Sequence, residues 1–270
     1  MRGSRGFTLV ELIIVIVLSG IIFGIVAVFI QGPIDAYFAQ ARRAELTDAA
    51  EMSLRRIARD IRRAVPNSVR VGGGGTAIEM LNVADGGRYR LRPGPGVAAA
   101  DFRLQFEIAD PQFNIVGPFT SAGPTTGVRL VVYNLGIAGA NAYAGDAVIT
   151  PAGTTVTIAP GVGGEHAVTL SPGHQFAFES PRQRIFLVDQ AVSYVCGAGA
   201  LRRDAGYAFG SAQPTSTAAG QIVADQVASC TFQYDPGTAT RSALVTMRIT
   251  LSSDGESVTL LHQVHVDNAP

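Results

Sequence analysis

Apolar residues run almost unbroken from Phe7 to Ile30, and Glu11 is the one charge among them. Twenty-four helical residues at about 1.5 Å each cover roughly 36 Å, enough for a tilted crossing of the bilayer's hydrocarbon. A carboxylate near one end of such a span costs on the order of 2–3 kcal/mol, so it calls for a partner or a purpose. Within the span, Ser19, Gly20 and Gly24 place small residues on one face, a pattern that lets helices approach closely but is also common in any membrane helix. Gly32 and Pro33 then interrupt the pattern and predict a break in the form of a bend, because proline removes one backbone hydrogen bond.

Beyond the proline the period becomes helical and amphipathic. Ile34, Tyr37, Phe38, Ala41, Leu46, Ala50, Leu54, Ile57, Ile61 and Val65 make one apolar face. Arg42, Arg43, Asp48, Glu51, Arg55, Arg56, Arg59, Asp60, Arg62 and Arg63 occupy the other side, where Glu51 and Arg55 have the favourable acid-first spacing of four. Such a stripe reads as a solvated face; a nucleic-acid surface is the sharper alternative. Arginines in the last turn followed by Pro66 and Asn67 stop the helix near Ala64. A helix from Phe7 to Ala64 is about 87 Å long, so half of it stands outside any membrane and needs cover for its apolar face.

The remaining chain supplies that cover as short alternating runs between turn signals. Strands are predicted over 76–81, 89–92, 102–108, 128–133, 156–159, 166–170, 184–188 and 191–195, with breakers at Gly72–Gly75, Pro93–Gly96, Gly136–Gly145 and Pro160–Gly164. The stretches 228–234, 243–251 and 258–266 predict an antiparallel meander turning at Asp235-Pro236-Gly237 and Ser253-Asp254-Gly255. Leu201 to Gln226, rich in Ala, Gly, Ser and Thr, reads as a loop. The fold class is therefore α+β, a long N-terminal helix packed on an antiparallel β-rich domain. The expected divisions are 1–6 as a basic leader, 7–30 as the membrane segment, 31–65 as the amphipathic stem and 66–270 as the β-rich domain.

Charge adds an exclusion. The 21 Lys and Arg residues, all of them arginine, balance 21 Asp and Glu residues. Balance argues against nucleic acid as the main partner, since such binders usually carry a basic excess. Cys196 and Cys230 suit neither a zinc site nor a redox CxxC pair. With the bulk of the chain outside the cytoplasm, the natural reading is a Cys196–Cys230 disulfide closing a loop of about 35 residues and worth about 3–4 kcal/mol; two free buried thiols are the alternative.

Chemistry-bearing residues are scattered. His262 and His265 lie three apart on a predicted strand, hence on opposite faces, which argues against a shared metal. His166 and His174 have no evident nucleophile partner, and no glycine-rich run is followed by the Lys-Ser/Thr of a phosphate loop. Asp235 and Asp254 are explained by turn formation, with calcium ligation as the alternative. No enzyme, cofactor or metal is expected, which leaves Glu11 with the strongest functional claim.

Arg2 and Arg5 followed by Gly6, Phe7, Thr8, Leu9, Val10, Glu11 and Leu12 resemble the processing site of type IV prepilins and of type II secretion pseudopilins. The resemblance implies cleavage after Gly6 by a prepilin peptidase, N-methylation of Phe7 and recruitment of neighbouring subunits through Glu11. An ordinary secretory signal differs, because its cleavage follows the apolar run. The resemblance further implies a single-pass inner-membrane protein with a cytoplasmic N-terminus, later taken into a filament with other pilins. Residues 53–71, SLRRIARDIRRAVPNSVRV, are similar to the stems of larger minor subunits, including J-type pseudopilins and PilW-like pilins. AVSYVC (191–196), SCTFQYDPG (229–237), RSALVTMRITL (241–251) and LLHQVHVDNAP (260–270) resemble minor prepilins of mannose-sensitive haemagglutinin (MSHA) pili.

Overall fold

A computed structural model describes residues 6–93, 102–117, 119, 123–125, 127–161, 164–207, 210–216, 220–237 and 242–269. Arg2, Arg5 and most of the leader, with parts of the Pro93–Gly96 and Pro160–Gly164 breakers, lie outside the described residues. Among the described residues one α-helix, α1 (Leu9–Arg62), is followed by thirteen strands, so the class is α+β. Gly32 and Pro33 sit inside α1, which is continuous through both, so the interruption in the pattern is not a stop. Proline's fixed φ is itself helical, and its missing N–H removes a single bond from a helix of 54 residues.

Burial divides α1 sharply. Its buried residues are Leu46, Ala50, Ser53, Leu54, Ile57, Ala58 and Ile61, spaced at three and four. Ile34, Tyr37 and Phe38, which the pattern assigns to the same covered face, are exposed and extend the apolar surface of the first half instead. The β domain simply does not reach them.

The cover comes from a three-stranded sheet, β11 (Val227–Asp235), β12 (Ala243–Ser253) and β13 (Glu256–Val266), in that order. Val245, Met247, Ile249, Leu251, Val264 and Val266 point inward and share a core with the stem. The β12–β13 loop is Asp254-Gly255, both at positive φ, the geometry of a two-residue hairpin turn matched to strand twist. At that tip Glu256 pairs with Arg43 of the stem.

A larger, ten-stranded antiparallel sheet is built on two long partners, β2 (Ala77–Tyr89) and β8 (Arg184–Gly197). Beside β2 lie β1 (Arg70–Gly72) and β3 (Asp110–Val116). β8 is flanked by β5 (Arg129–Val131) at its start and β9 (Ala200–Tyr207) at its end. Then β10 (Gln221–Ala224) closes one edge, while β7 (His166–His174), β6 (Thr155–Pro160) and β4 (Gly123–Thr125) run outward from β3.

Several predicted strands change here. Tyr89 ends β2 rather than starting a strand over 89–92, and 102–108 is not a strand. The pairing strand is β3, whose Asp110-Pro111 start suppresses the β signal although Pro111 falls at a register shift between Asp110 and Gln112, where no ladder bond is needed. The runs 184–188 and 191–195 fuse into β8, with the irregularity between them absorbed where β2 shifts register at Val83. Residues 201–226 contain β9 and β10 and are not one loop. β9 is polar and includes Gly206, yet a hairpin at Ala198-Gly199, again with both φ positive, lays it along β8. β2 tolerates Gly87 for a packing reason: a Cβ there would lie 2.7 Å from Ile115 Cγ2.

Candidate functional site

The charge inside the apolar run sits in the first turn of α1. Thr8 caps that turn: it is extended, at φ −80° and ψ 152°, and its Oγ1 accepts a hydrogen bond from Glu11 N–H at 3.3 Å. The Thr8 carbonyl accepts from Leu12 N–H at 3.2 Å. Thr8-x-x-Glu11 has the spacing of a capping box, a start signal legible in the sequence but masked there by the stronger apolar pattern. The acid also lies at the end of the helix where the macrodipole favours negative charge. Local helix physics therefore places Glu11 as well as function does.

Gly6 and Phe7 form an exposed lead-in outside the helix, with Phe7 79% exposed and nothing within 4 Å of the position of a Gly6 Cβ beyond its chain neighbours. From Leu9 to Phe38 the helix turns large apolar residues to the outside all round, including Ile13, Val17, Ile21, Phe23, Phe29 and Ile34. It is the one described helix long and apolar enough to cross a membrane, and none of its most apolar stretch is buried. Gly20 and Gly24 face open space, where another helix could approach closely.

The other sequence-selected residues are not gathered at this site. Cys196 and Cys230 form a disulfide with Cα atoms 6.3 Å apart, tying β8 of the large sheet to β11 of the small one. His166 Nδ1 accepts from Phe119 N–H at 3.2 Å. His174 packs edge-on to Phe176, and burial, then the nearby Arg129, lowers its pKa against the pull of an Ala147 backbone hydrogen bond. His262 and His265 fall on opposite faces of β13. Among the described residues no cluster of three or more His, Cys, Asp or Glu could hold a metal. Asp235 Oδ1 accepts from Gly237 N–H at 3.0 Å, and Asp254 takes the positive-φ turn position.

The stem's charged stripe is more engaged than a solvated face. Asp60 Oδ2 accepts from Tyr194 Oη at 2.7 Å and from Arg203 Nε at 2.9 Å. Burial, reinforced by Asp60, pushes the Tyr194 hydroxyl well up; burial opposes the charge of Arg203, but Asp60 outweighs it and raises that pKa. Helical periodicity does not reveal these partners, which lie on strands far along the chain.

Residues 1–27 match the prokaryotic N-terminal methylation motif. The chain carries a prepilin-type N-terminus. That motif marks type IV pilin-like prepilins and pseudopilins, and it implies processing by a prepilin peptidase and assembly with other pilins. No curated protein and no solved structure matches the chain.

Proposed function

We propose that this protein is a minor prepilin of an MSHA-like type IV pilus, closest in kind to MshO, and that it takes part in initiating assembly. In this reading residues 1–6 are removed after Gly6, Phe7 becomes the methylated N-terminus, 7–30 anchor the chain in the inner membrane, 31–65 form the stem and 66–270 the periplasmic domain. The partners are the prepilin peptidase, other major and minor pilins, inner-membrane lipid and the assembly platform. The carrying observation is the bare apolar helix with Glu11 in its first turn. Such a surface is at home only in lipid or against other helices.

Glu11 supplies the register. Cleavage leaves a cationic amine on Phe7 of an incoming subunit, and drawing that charge among apolar helices is costly unless an acid meets it. A carboxylate about one turn from a neighbour's start fixes the axial offset at which the two charges cancel. The lipid-spanning state is then exchanged for a helix bundle without leaving an unpaired charge. Similarity of residues 53–71 to J-type stems favours, as a second reading, a minor pseudopilin of type II secretion.

N-terminal sequencing of the mature protein is expected to return methylated Phe7; an intact Met1 would instead indicate a permanently anchored periplasmic domain. Glu11→Ala is expected to be cleaved and methylated normally but recruited into filaments roughly 100-fold less well, the equivalent of about 3 kcal/mol for stranding a charge. Normal incorporation of that variant into pili would overturn the recruitment role.

A further inference from the structure

Where the stem ends, arginines from three parts of the chain converge on one open surface. The β2–β8 register sets Arg88 directly opposite Arg184, and Gly86 opposite Phe186. Like charges in facing positions of a ladder repel, so this arrangement is unfavourable without a counter-charge. Arg182, just before β8, joins them: its carbonyl accepts from Arg88 Nε at 3.3 Å. These residues line a cleft of about 570 Å³ floored by Gly86, Gly87 and Phe186. A second cleft of about 350 Å³ continues past Arg184 and Phe186 to Arg62, Arg63 and Asp267.

The lining is short of acid. Five arginines (62, 63, 88, 182 and 184) face one carboxylate, Asp267, among the residues lining the two clefts. Asp267 Oδ2 accepts from Arg184 Nη1 at 3.1 Å. Burial tends to raise the Asp267 carboxyl, but the Ala269 N–H and the two cations Arg184 and Arg182 hold it below its ordinary value. One acid is thus already committed. The other terminal nitrogen, Arg184 Nη2, is buried with no acceptor among the described residues. Among the described residues Arg63 Nη2 reaches only the Val83 carbonyl, at 3.3 Å.

We propose that this surface is an oxyanion-binding site, with Arg88, Arg182 and Arg184 gripping a ligand that carries two or more carboxylate or phosphate groups. Guanidinium groups held in fixed directions suit such oxygens bidentately. Lipid headgroups are out of reach in the proposed membrane placement, because Arg62 lies about 48 Å along the helix from Ile30. Two sources share the remaining chemistry: acidic side chains of a polypeptide, and a free polyvalent anion. The site itself rests on sheet register and does not depend on the prepilin reading.

The test titrates full-length protein in neutral maltoside micelles with citrate and, separately, with hexaglutamate, by calorimetry at low and moderate salt. Saturable binding that weakens with salt is expected. Arg88→Gln and Arg182→Gln should each weaken it about tenfold or more, as loss of a charge-assisted bond would. Arg248→Gln, at an exposed position on β12, should leave it unchanged. Without ligand, Arg88→Gln should hold or raise the melting temperature, since it removes the Arg88–Arg184 repulsion; a merely structural arginine would lower it. Binding of hexaglutamate alone assigns the site to a polypeptide, and binding of citrate alone to a small anion. No binding of either at millimolar concentration, or equal loss in Arg248→Gln, overturns the proposal.

Discussion

Tyr89 is fully buried, and its hydroxyl serves one residue twice: it accepts the Ser180 N–H at 2.8 Å and donates to the Ser180 carbonyl at 3.3 Å. Burial pushes its pKa up to about 12, reinforced by Glu179 and opposed by the Ser180 backbone. Tyr143, Tyr194, Tyr207 and Tyr234 are also raised, each first by burial. An unfolded tyrosine titrates near 10, so between about pH 10 and 12 the unfolded chain loses protons that the native one keeps. Fewer protons bound in the unfolded state means stability falls as pH rises. Denaturation in neutral micelles should therefore find stability declining above about pH 10. Tyr89→Phe should lessen that decline while costing about 1–2 kcal/mol at pH 7, because the Ser180 N–H loses its acceptor. A decline unchanged in the variant would show that the other tyrosines set it. None of this is legible in the sequence, where Tyr89 and Ser180 stand 91 residues apart. The same holds for Glu79, fully buried and paired with Arg70 at 2.5 Å because the β1–β2 register sets them opposite. Thr8 with Glu11 is the contrary case, a pairing written within one helical turn.

Elements whose order is local were legible, and those made by distant pairing were not. Apolar spacing marks α1 to within two residues at each end, and alternation marks the β11–β12–β13 meander with its turns. β9 is invisible by composition; it forms because β8 offers it an edge and Ala198-Gly199 turns the chain back. β3 is hidden by Asp110-Pro111 for the complementary reason, that strand propensity measures fit to a half-buried surface the sequence alone does not display. The stem's two faces give the clearest test of this reading at the element scale. Ile57 is 1% exposed among residues of the small sheet's core, whereas Met52, on the same helix, is 73% exposed. Ile57→Ala should cost about 2–5 kcal/mol by leaving a cavity. Met52→Ala should stay within about 0.5 kcal/mol. Chemical denaturation of the two variants side by side checks the difference, and comparable losses would mean that the stem is covered on a second face.

At the scale of the whole molecule, one continuous helix serves two environments, and the boundary between them falls between Phe38 and Leu46. Up to Phe38 the large apolar residues are exposed; from Leu46 onward the buried positions of α1 begin. Arg43, between these limits, already grips Glu256 at the tip of the β12–β13 hairpin. Among the described residues, therefore, the β domain owes nothing to the first half of α1, and the first half has no folded partner. Removing residues 1–38 should yield a protein soluble without detergent whose melting temperature matches that of the full chain in micelles to within a few degrees. A chain beginning at Leu54 loses Leu46, Ala50, Ser53 and the Arg43–Glu256 pair as well, and should be less stable by about 3 kcal/mol or more, mostly from lost apolar burial. Calorimetry and sedimentation on the two truncations separate the outcomes. If the shorter cut at residue 38 already lowered the melting temperature steeply, the exposed half would be bracing the domain, and its apolar surface would need an explanation other than lipid or neighbouring helices. If instead only the cut at Leu54 destabilises, the division is physical: a β domain that folds on the second half of its helix, and a first half whose apolar surface is kept for contacts outside the chain.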